Sequence, residues 1–373
     1  MKKRRILFDA TPLIDTHVSG VGKVLKETLK VLDSPEYAQK YRISLFVPLD
    51  EYKKAKALGY KTIGIKWLPY PHKFVSLFSR FSVGPPIDLF LGKGTYVFSN
   101  FRNWTLLFSR SITYIHDVTF KLFPDFVQAR NLAYLQKYIP VWLKRADTVV
   151  TISQTSRDEI ESELGIKDVV VVPNAVDGTE FKPQDVAAIN AMRDKWGLPQ
   201  NYFVFIGNIE PRKNLSNMIK GFRKYIVESG SDDALVIIGG GGWKNESILA
   251  EINQACDTGV TIIRPNGYVP DEDLPAIISG AKALVQPSWH EGFGLPVLQA
   301  LACGTPCVAS DIPALHEAAF GNDDSVIYVK PNDVDEIAQA LDEVGRIAHV
   351  TSPKNIPSWN DSVKRLIEII ERN

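Results

Sequence analysis

Short apolar runs punctuate the chain at 5–10, 43–47, 112–116, 148–152 and 169–172, and between them apolar residues return at helical spacing. Runs that are apolar almost throughout belong to strands buried on both faces, and strands separated by helices pair in parallel. The first half of the chain therefore predicts an α/β domain built on a parallel sheet. The pattern restarts at Phe203 and continues through 234–238, 260–264, 283–286, 306–309 and 325–329, predicting a second domain of the same kind. Between the two sets, Pro173-Asn174-Ala175-Val176-Asp177 and the polar stretch 182–185 break the rhythm and read as a linker. The domains are drawn at 1–183 and 184–357. A final amphipathic segment, 362–370, follows Ile356-Pro357-Ser358-Trp359. No repeat of solenoid period is present.

Composition adds bounds. With 373 residues, 45% hydrophobic and 23% charged, the chain can fill two cores of ordinary domain size and reads as a soluble globular protein. Cys256, Cys303 and Cys307 make an odd number without metal-type pairing, which points to a reducing, cytoplasmic compartment, and the last two are expected in a packed helix and the strand after it. The basic start Lys2-Lys3-Arg4-Arg5 resembles the opening of a secretion signal, but Asp9 interrupts the apolar stretch behind it, so secretion is not expected. No run approaches the roughly 18 apolar residues of a membrane-spanning helix.

Charge is balanced overall and uneven along the chain. Residues 1–183 hold 27 Lys plus Arg against 18 Asp plus Glu, net +9, and the remainder holds 16 against 25, net −9. A basic first half suits an acidic substrate or anionic lipid, and no nucleic-acid partner is expected. From Trp67 to Phe81, aromatics alternate with His72, Lys73 and Arg80. Two readings stand for this stretch: peripheral membrane attachment, at the inner face of the cell membrane, or an irregular linker whose aromatics pack on the domain core.

Candidate chemistry concentrates in Pro287-Ser288-Trp289-His290-Glu291-Gly292-Phe293-Gly294-Leu295-Pro296, continuing through Gln299 to Gly304-Thr305-Pro306. The pattern predicts a buried strand over 281–285, a loop around Glu291, and a helix over 295–303. A helix that opens after glycines offers unpaired N–H groups and the positive end of its dipole to an anion. Glycine admits a ligand close to the main chain, and a carboxylate such as Glu291 accepts hydrogen bonds from hydroxyls. The combination suits a diphosphate joined to a sugar, although a strand, glycine turn and helix also recur in α/β proteins without such a site.

The segment resembles the nucleotide-sugar motif of retaining glycosyltransferases of family four, in which two glutamates flank seven residues. The resemblance implies the GT-B fold, two Rossmann-like domains facing across a cleft, with the active site at the carboxyl ends of their strands. Here Gln299 stands where the family has its second Glu, the residue that holds the donor ribose. Glutamine still bonds to a ribose hydroxyl but lacks the charge-assisted strength of a carboxylate, so weakened or altered donor binding is expected. A second motif runs from Phe203 through Gly207 to Glu210-Pro211-Arg212-Lys213-Asn214. An isolated Arg-Lys pair is commonly a solvated loop; the resemblance assigns Arg212 and Lys213 to the departing diphosphate, which their charge stabilises.

Ser19-Gly20-Val21-Gly22-Lys23 opens an amphipathic helix running to about Leu32. It lacks the third glycine of a dinucleotide fingerprint and the lysine spacing of a P-loop. It reads as an ordinary strand-to-helix turn or, by resemblance, as a glycine loop beside the donor phosphates and the acceptor. The strand ending at His116-Asp117 is similarly open. A lone histidine there commonly packs or hydrogen-bonds, whereas the resemblance makes His116 a donor-sugar contact and Asp117 its orienting partner or a wall of the acceptor pocket. It further implies that the backbone at Val269 reads the base, that N–H groups at Phe293, Gly294 and Leu295 assist the phosphates, that 173–177 is a hinge, and that 358–373 crosses back to complete the first domain. Gly239 to Gly242 serve either phosphate approach or a turn, and the turn is favoured. Asp271-Glu272-Asp273 looks like a metal-binding Asp-any-Asp pattern, but its position before Leu274 predicts a helix cap, and no metal is expected.

The resulting expectation is a retaining, metal-independent hexosyltransferase with no cofactor beyond its nucleotide diphosphate sugar donor. Its acceptor would be a glycan or lipid-linked hydroxyl in cell-surface polysaccharide synthesis. No side chain stands out as a nucleophile, consistent with the same-face mechanism that the family implies, in which a donor phosphate oxygen helps deprotonate the acceptor. GDP-mannose is the first choice of donor, because the run from Phe8 to Ile14 together with Ile115-His116-Asp117-Val118 resembles mannosyltransferases of bacterial surface polysaccharide. The alternatives are a non-catalytic sugar-nucleotide-binding subunit and a sugar-nucleotide epimerase of the same fold.

Overall fold

The structure, a computed structural model, describes residues 3–14, 20–71, 74, 78, 84–351 and 353–372. The chain divides into two units. One comprises Met1–Leu122, Ala129–Asn174 and Trp359–Asn373, the other Phe123–Gln128 and Ala175–Ser358. The stretch 175–183, drawn with the first domain from sequence, thus lies with the second: Val176 pairs with Ser358, and its N–H donates to the Pro357 carbonyl. The short segment Phe123–Gln128 also joins the second unit, where the Trp243 indole donates to the Phe126 carbonyl and Lys244 Nζ reaches the Asp125 carbonyl at 2.7 Å.

The first unit is a seven-stranded parallel sheet of β1 (Arg4–Asp9), β2 (Tyr41–Pro48), β3 (Gly64–Leu68), β4 (Thr95–Phe98), β5 (Arg110–Tyr114), β6 (Thr148–Thr151) and β7 (Val170–Val171), ordered 3-2-1-4-5-6-7. The second is a six-stranded parallel sheet of β8 (Tyr202–Ile206), β9 (Ala234–Ile238), β10 (Ile262–Ile263), β11 (Ala283–Gln286), β12 (Cys307–Ser310) and β13 (Val326–Val329), ordered 10-9-8-11-12-13. Both follow the Rossmann order, in which the direction of winding reverses beside the first strand, at β1/β4 and at β8/β11. Such a reversal opens a crevice at the carboxyl ends of the two strands.

Two strands lie outside the predicted runs. β3 is an edge strand, mostly half-exposed and interrupted by Gly64 and Lys66, so its apolar signal is weak. β4 is wholly buried but only four residues long, too short for periodicity to register. In the segment from Trp67 the Tyr70 ring lies edge-on to Phe78 at 5.7 Å; Lys73, Arg80 and Phe81 lie outside the described residues. The terminal helix Trp359–Arg372 belongs to the first unit. It buries Val363, Leu366, Ile367 and Ile370 and packs on the helix Gly20–Leu32, while Glu371 takes the Tyr41 hydroxyl and the Ile370 carbonyl takes the Arg4 guanidinium. Among the described residues no helix is long and apolar enough to cross a membrane.

Candidate functional site

In the second unit the loops that follow β8 and β11 meet at the reversal of strand order. After β8 the backbone turns at Gly207, φ +154°, passes Glu210, and makes the 3-10 turn Pro211–Lys213 before the helix Leu215–Ser229. A Cβ on Gly239 would lie 2.0 Å from the Gly207 carbonyl oxygen, so the loop after β9 rests directly on this one. Ile209 N–H donates to the Gly240 carbonyl at 3.0 Å and Gly242 N–H to the Ile209 carbonyl at 3.1 Å. The glycines at 239–242 thus satisfy a backbone-on-backbone contact, in keeping with the turn favoured from sequence. Asn214 takes the left-handed conformation, φ +58°, one of the residue types that tolerates it. Its amide donates to the carbonyls of Pro287 at 2.8 Å and Pro331 at 2.6 Å, tying the β8 loop to the β11 loop.

Four charges gather there. Arg212 Nη1 donates to Glu291 Oε2 at 2.8 Å and to the His290 carbonyl at 2.7 Å; its Nε and Nη2 donate to Glu210 Oε1 at 3.1 and 2.8 Å. Lys213 Nζ reaches Glu291 Oε1 at 2.6 Å, and the same oxygen accepts from Ser288 Oγ at 2.7 Å and Gln286 Nε2 at 3.0 Å. Glu210, Lys213 and Glu291 are buried. Burial acts to raise the Glu291 pKa, but the charges of Arg212 and Lys213 and the hydrogen bonds from Lys213 and Ser288 outweigh it and hold the carboxyl far below its usual range. Burial lowers the Lys213 ammonium, with Glu291 opposing. The two cations and two carboxylates pair with one another and sum to zero.

Arg212, Lys213 and Glu291, predicted separately as diphosphate and sugar contacts, are thus brought together as partners of one another. Glu210, Gln286 and Ser288, which hold them, were not singled out from sequence. Gln286 Oε1 is buried with no hydrogen-bond partner.

Gly294 starts the helix Leu295–Ala302 at φ +110°, and a Cβ there would lie 2.5 Å from Leu315 Cδ2, so glycine is required twice over. Phe293 is buried edge-on to Phe320 at 6.2 Å, and Gln299 is buried on the same helix. Val269 is buried in the loop after β10, two strands from β8 in the sheet order. Asp273, the residue before the helix Leu274–Ser279, makes no side-chain cap; it takes Lys195 Nζ at 2.6 Å and the Trp196 indole N–H at 3.0 Å instead, which corrects the capping expectation at that residue.

In the first unit, Gly20 and Gly22 fall in the first turn of the helix Gly20–Leu32; Ser19 lies outside the described residues. His116 follows β5 and is buried. Its Nε2 lies 2.9 Å from the Ser99 carbonyl oxygen, which can only accept, so Nε2 carries the proton and Nδ1 of the neutral ring is an acceptor. Burial lowers the His116 pKa against the opposing pull of the Ser99 bond and Asp117. Ser99 Oγ in turn donates to the Asp9 carbonyl at 3.1 Å, linking the ends of β1, β4 and β5. Asp117 does not orient the imidazole through a hydrogen bond: its Oδ1 accepts the Thr119 N–H at 2.9 Å, because an aspartate at a turn caps the backbone two residues on.

Residues 188–347 match the model of glycosyl transferases group 1, and residues 18–180 that of glycosyltransferase family 4. The chain is similar over its whole length to the structure of HepE from Anabaena in complex with UDP and glucose, with TM-score 0.70, 12% identity and 100% of each chain covered. Sucrose-phosphate synthase from Thermosynechococcus elongatus gives TM-score 0.67 at 15% identity over 99% of this chain and 95% of that one. Two units with this parallel strand order and these neighbours define the GT-B fold. Among curated proteins, the O-antigen chain mannosyltransferase B of Escherichia coli is 30% identical over 254 residues, 68% of this chain and 63% of that protein. The O-antigen chain mannosyltransferase RfbU of Salmonella typhimurium is 28% identical over 263 residues, 70% and 66% respectively, so the chain spans slightly under two thirds of either relative. The chain belongs to the group 1, family-four glycosyltransferases.

Proposed function

We propose that the protein transfers a hexose, with retention of configuration, from a nucleotide diphosphate sugar to a hydroxyl of a glycan or lipid-linked acceptor in cell-surface polysaccharide synthesis, at the cytoplasmic face of the membrane. The observation that carries this reading is the Arg212–Lys213–Glu291 cluster at the strand-order reversal of the second sheet. Arriving phosphates would draw Arg212 and Lys213 away from Glu291, stabilise negative charge on the departing diphosphate, and release Glu291 oxygens to accept from sugar hydroxyls. Positive charge from these side chains performs the neutralisation without a metal. The neutral imidazole of His116 offers Nδ1 to a hydroxyl proton. GDP-mannose is the favoured donor, supported by the mannosyltransferase relatives.

The test is thermal stabilisation against GDP, UDP, ADP and their sugars, with and without magnesium, followed by product analysis with the donor selected. A shift selective for GDP and GDP-mannose that persists without magnesium is expected, and no shift with any nucleotide would reject the reading. Gln299 supports a second reading, a binding subunit without turnover. Gln299→Glu separates the two: strong gain of transfer from an inactive parent would favour that subunit, whereas the proposed enzyme is active as it stands.

A further inference from the structure

Gln286 stands where the packing of the second sheet calls for an apolar residue. It ends β11, a strand with β8 on one side and β12 on the other, whose preceding residues Ala283, Leu284 and Val285 are buried, and it is itself 0% exposed. A buried amide destabilises unless both of its ends find partners. Here only one does: Nε2 donates to Ser288 Oγ at 2.9 Å and to Glu291 Oε1 at 3.0 Å, while Oε1 has no partner. Turning the amide over would set its oxygen against the carboxylate, acceptor on acceptor, so Glu291 dictates the orientation that leaves the other end unpaired. A central strand that keeps a polar residue at a cost to stability answers a demand of the site rather than of the fold.

The side-chain donors to Glu291 differ in how they respond to an arriving anion. Oε2 takes Arg212 Nη1, and Oε1 takes Lys213 Nζ, Ser288 Oγ and Gln286 Nε2. Arg212 and Lys213 are cations and follow negative charge. Gln286 and Ser288 are neutral and firmly seated: both are fully buried, and the Pro287 carbonyl between them accepts Asn214 Nδ2 at 2.8 Å. The two carboxylate oxygens are therefore unequal. When the cations leave, Oε1 keeps two of these donors and Oε2 keeps none of them.

We propose that Gln286 is a positioning residue of the donor site: with Ser288 it retains Glu291 Oε1 once Arg212 and Lys213 have turned to the diphosphate, and so presents Oε2 to a hydroxyl of the transferred sugar. Without that hold the carboxylate follows the two cations or takes up a proton, and either loses the sugar contact. The charged groups that face it are Arg212 and Lys213, in direct contact, with Glu210 across Arg212. With both cations engaged by phosphate, the neutral hydrogen bonds are what keep the carboxyl ionised. The role deepens the glycosyl-transfer reading and rests on it, since a nucleotide diphosphate sugar must occupy the cluster for Gln286 to act.

The experiment measures by calorimetry the affinity of the full chain for GDP and GDP-mannose, with UDP and UDP-glucose as a second pair, in the parent, Gln286→Met and Ser288→Ala. Methionine keeps the length of glutamine and removes both the donor and the orphaned acceptor, so Gln286→Met should melt no lower than the parent. Affinity for the nucleotide alone, set by Arg212 and Lys213, should change by less than about twofold, while the preference for its sugar form over the nucleotide should fall about tenfold in each variant. Binding of the sugar form at about pH 5.5 in buffers of different ionisation heat should show proton uptake in the variants and none in the parent. A preference kept by both variants overturns the proposal and leaves the glycosyl-transfer reading intact. So does an equal loss of both affinities together with a lower melting temperature, which would make Gln286 a structural residue only. A parent that binds neither pair, or shows no preference for a sugar form, overturns the proposal and the reading beneath it together.

Discussion

Glu291 is the residue on which most of the candidate chemistry turns. Removing its charge while keeping its shape, as in Glu291→Gln, leaves Arg212 and Lys213 in a buried setting with their partner neutralised, a loss of about 3 kcal/mol at pH 7. The folded pKa is depressed, so the stabilisation is complete above the usual value of 4.5 and declines as pH falls below it. The deficit of the variant, read from urea unfolding, should therefore be full at pH 7 and shrink below about pH 4.5; an equal deficit at both pH values would mean that packing, not charge, sets the loss. His116 carries the opposite chemistry with the same pH sign. Its folded pKa is lowered, so the unfolded chain takes up a proton first as pH falls through 6.5, and stability declines below that point. His116→Gln should flatten the slope between about pH 7.5 and 5.5. The pKa of His349 is lowered too, by desolvation against the opposing pull of the Ala281 and Lys282 backbone, so part of the slope stays in place. An unchanged slope would show that His116 does not titrate in this range.

At the scale of elements, helix packing sets a sharper constraint than propensity. A Cβ on Gly221, in the helix Leu215–Ser229, would lie 2.5 Å from Ile337 Cγ2 in the helix Val334–Val344. Gly221→Ala should improve helix propensity by about 1 kcal/mol and still destabilise, by about 1–2 kcal/mol net, because two packed helices must move apart. Ile337→Ala in the same chain should recover much of that loss, and a double-mutant cycle by chemical unfolding shows the coupling; strict additivity would refute it. This contact separates what the sequence makes legible from what it does not. Strands β1, β8, β9 and β11 show as apolar runs because each is buried on both faces, whereas β3 at the sheet edge and the four-residue β4 carry too little pattern. Arg212, Lys213 and Glu291 are legible through motif resemblance. Glu210, Gln286 and Ser288 are not, because their value depends on β8 and β11 being neighbours, a pairing that joins positions some 80 residues apart and leaves no local signature. Asp273 fails for the same reason: a local cap reading could not anticipate Lys195 and Trp196.

At the scale of the whole molecule, the chain leaves its first unit after Asn174 and returns to it at Trp359, so sequence order and folding units do not coincide. The returning helix Trp359–Arg372 buries Trp359, Val363, Leu366, Ile367, Ile369 and Ile370, most of them within the first unit's core. At roughly 1.5–3 kcal/mol for each large apolar side chain, that burial is comparable with the entire stability of an ordinary domain. Ending the chain before Trp359 should therefore unfold or severely loosen the first unit, although the deleted residues follow the second. The second unit retains its own six-stranded sheet and separate core, including Phe203, Phe205, Phe222 and Leu341. Hydrogen exchange on the truncated chain should show protection lost in β1 and β2, whose first residues Arg4 and Tyr41 bond to the terminal helix, and retained in β8, β9 and β11. Nucleotide-induced stabilisation should survive in the same protein if Arg212, Lys213 and Glu291 hold the diphosphate from the second unit. Loss of protection in both sheets together would mean that the two units fold as one cooperative body, and the donor half-site could not then be assigned to the second unit alone.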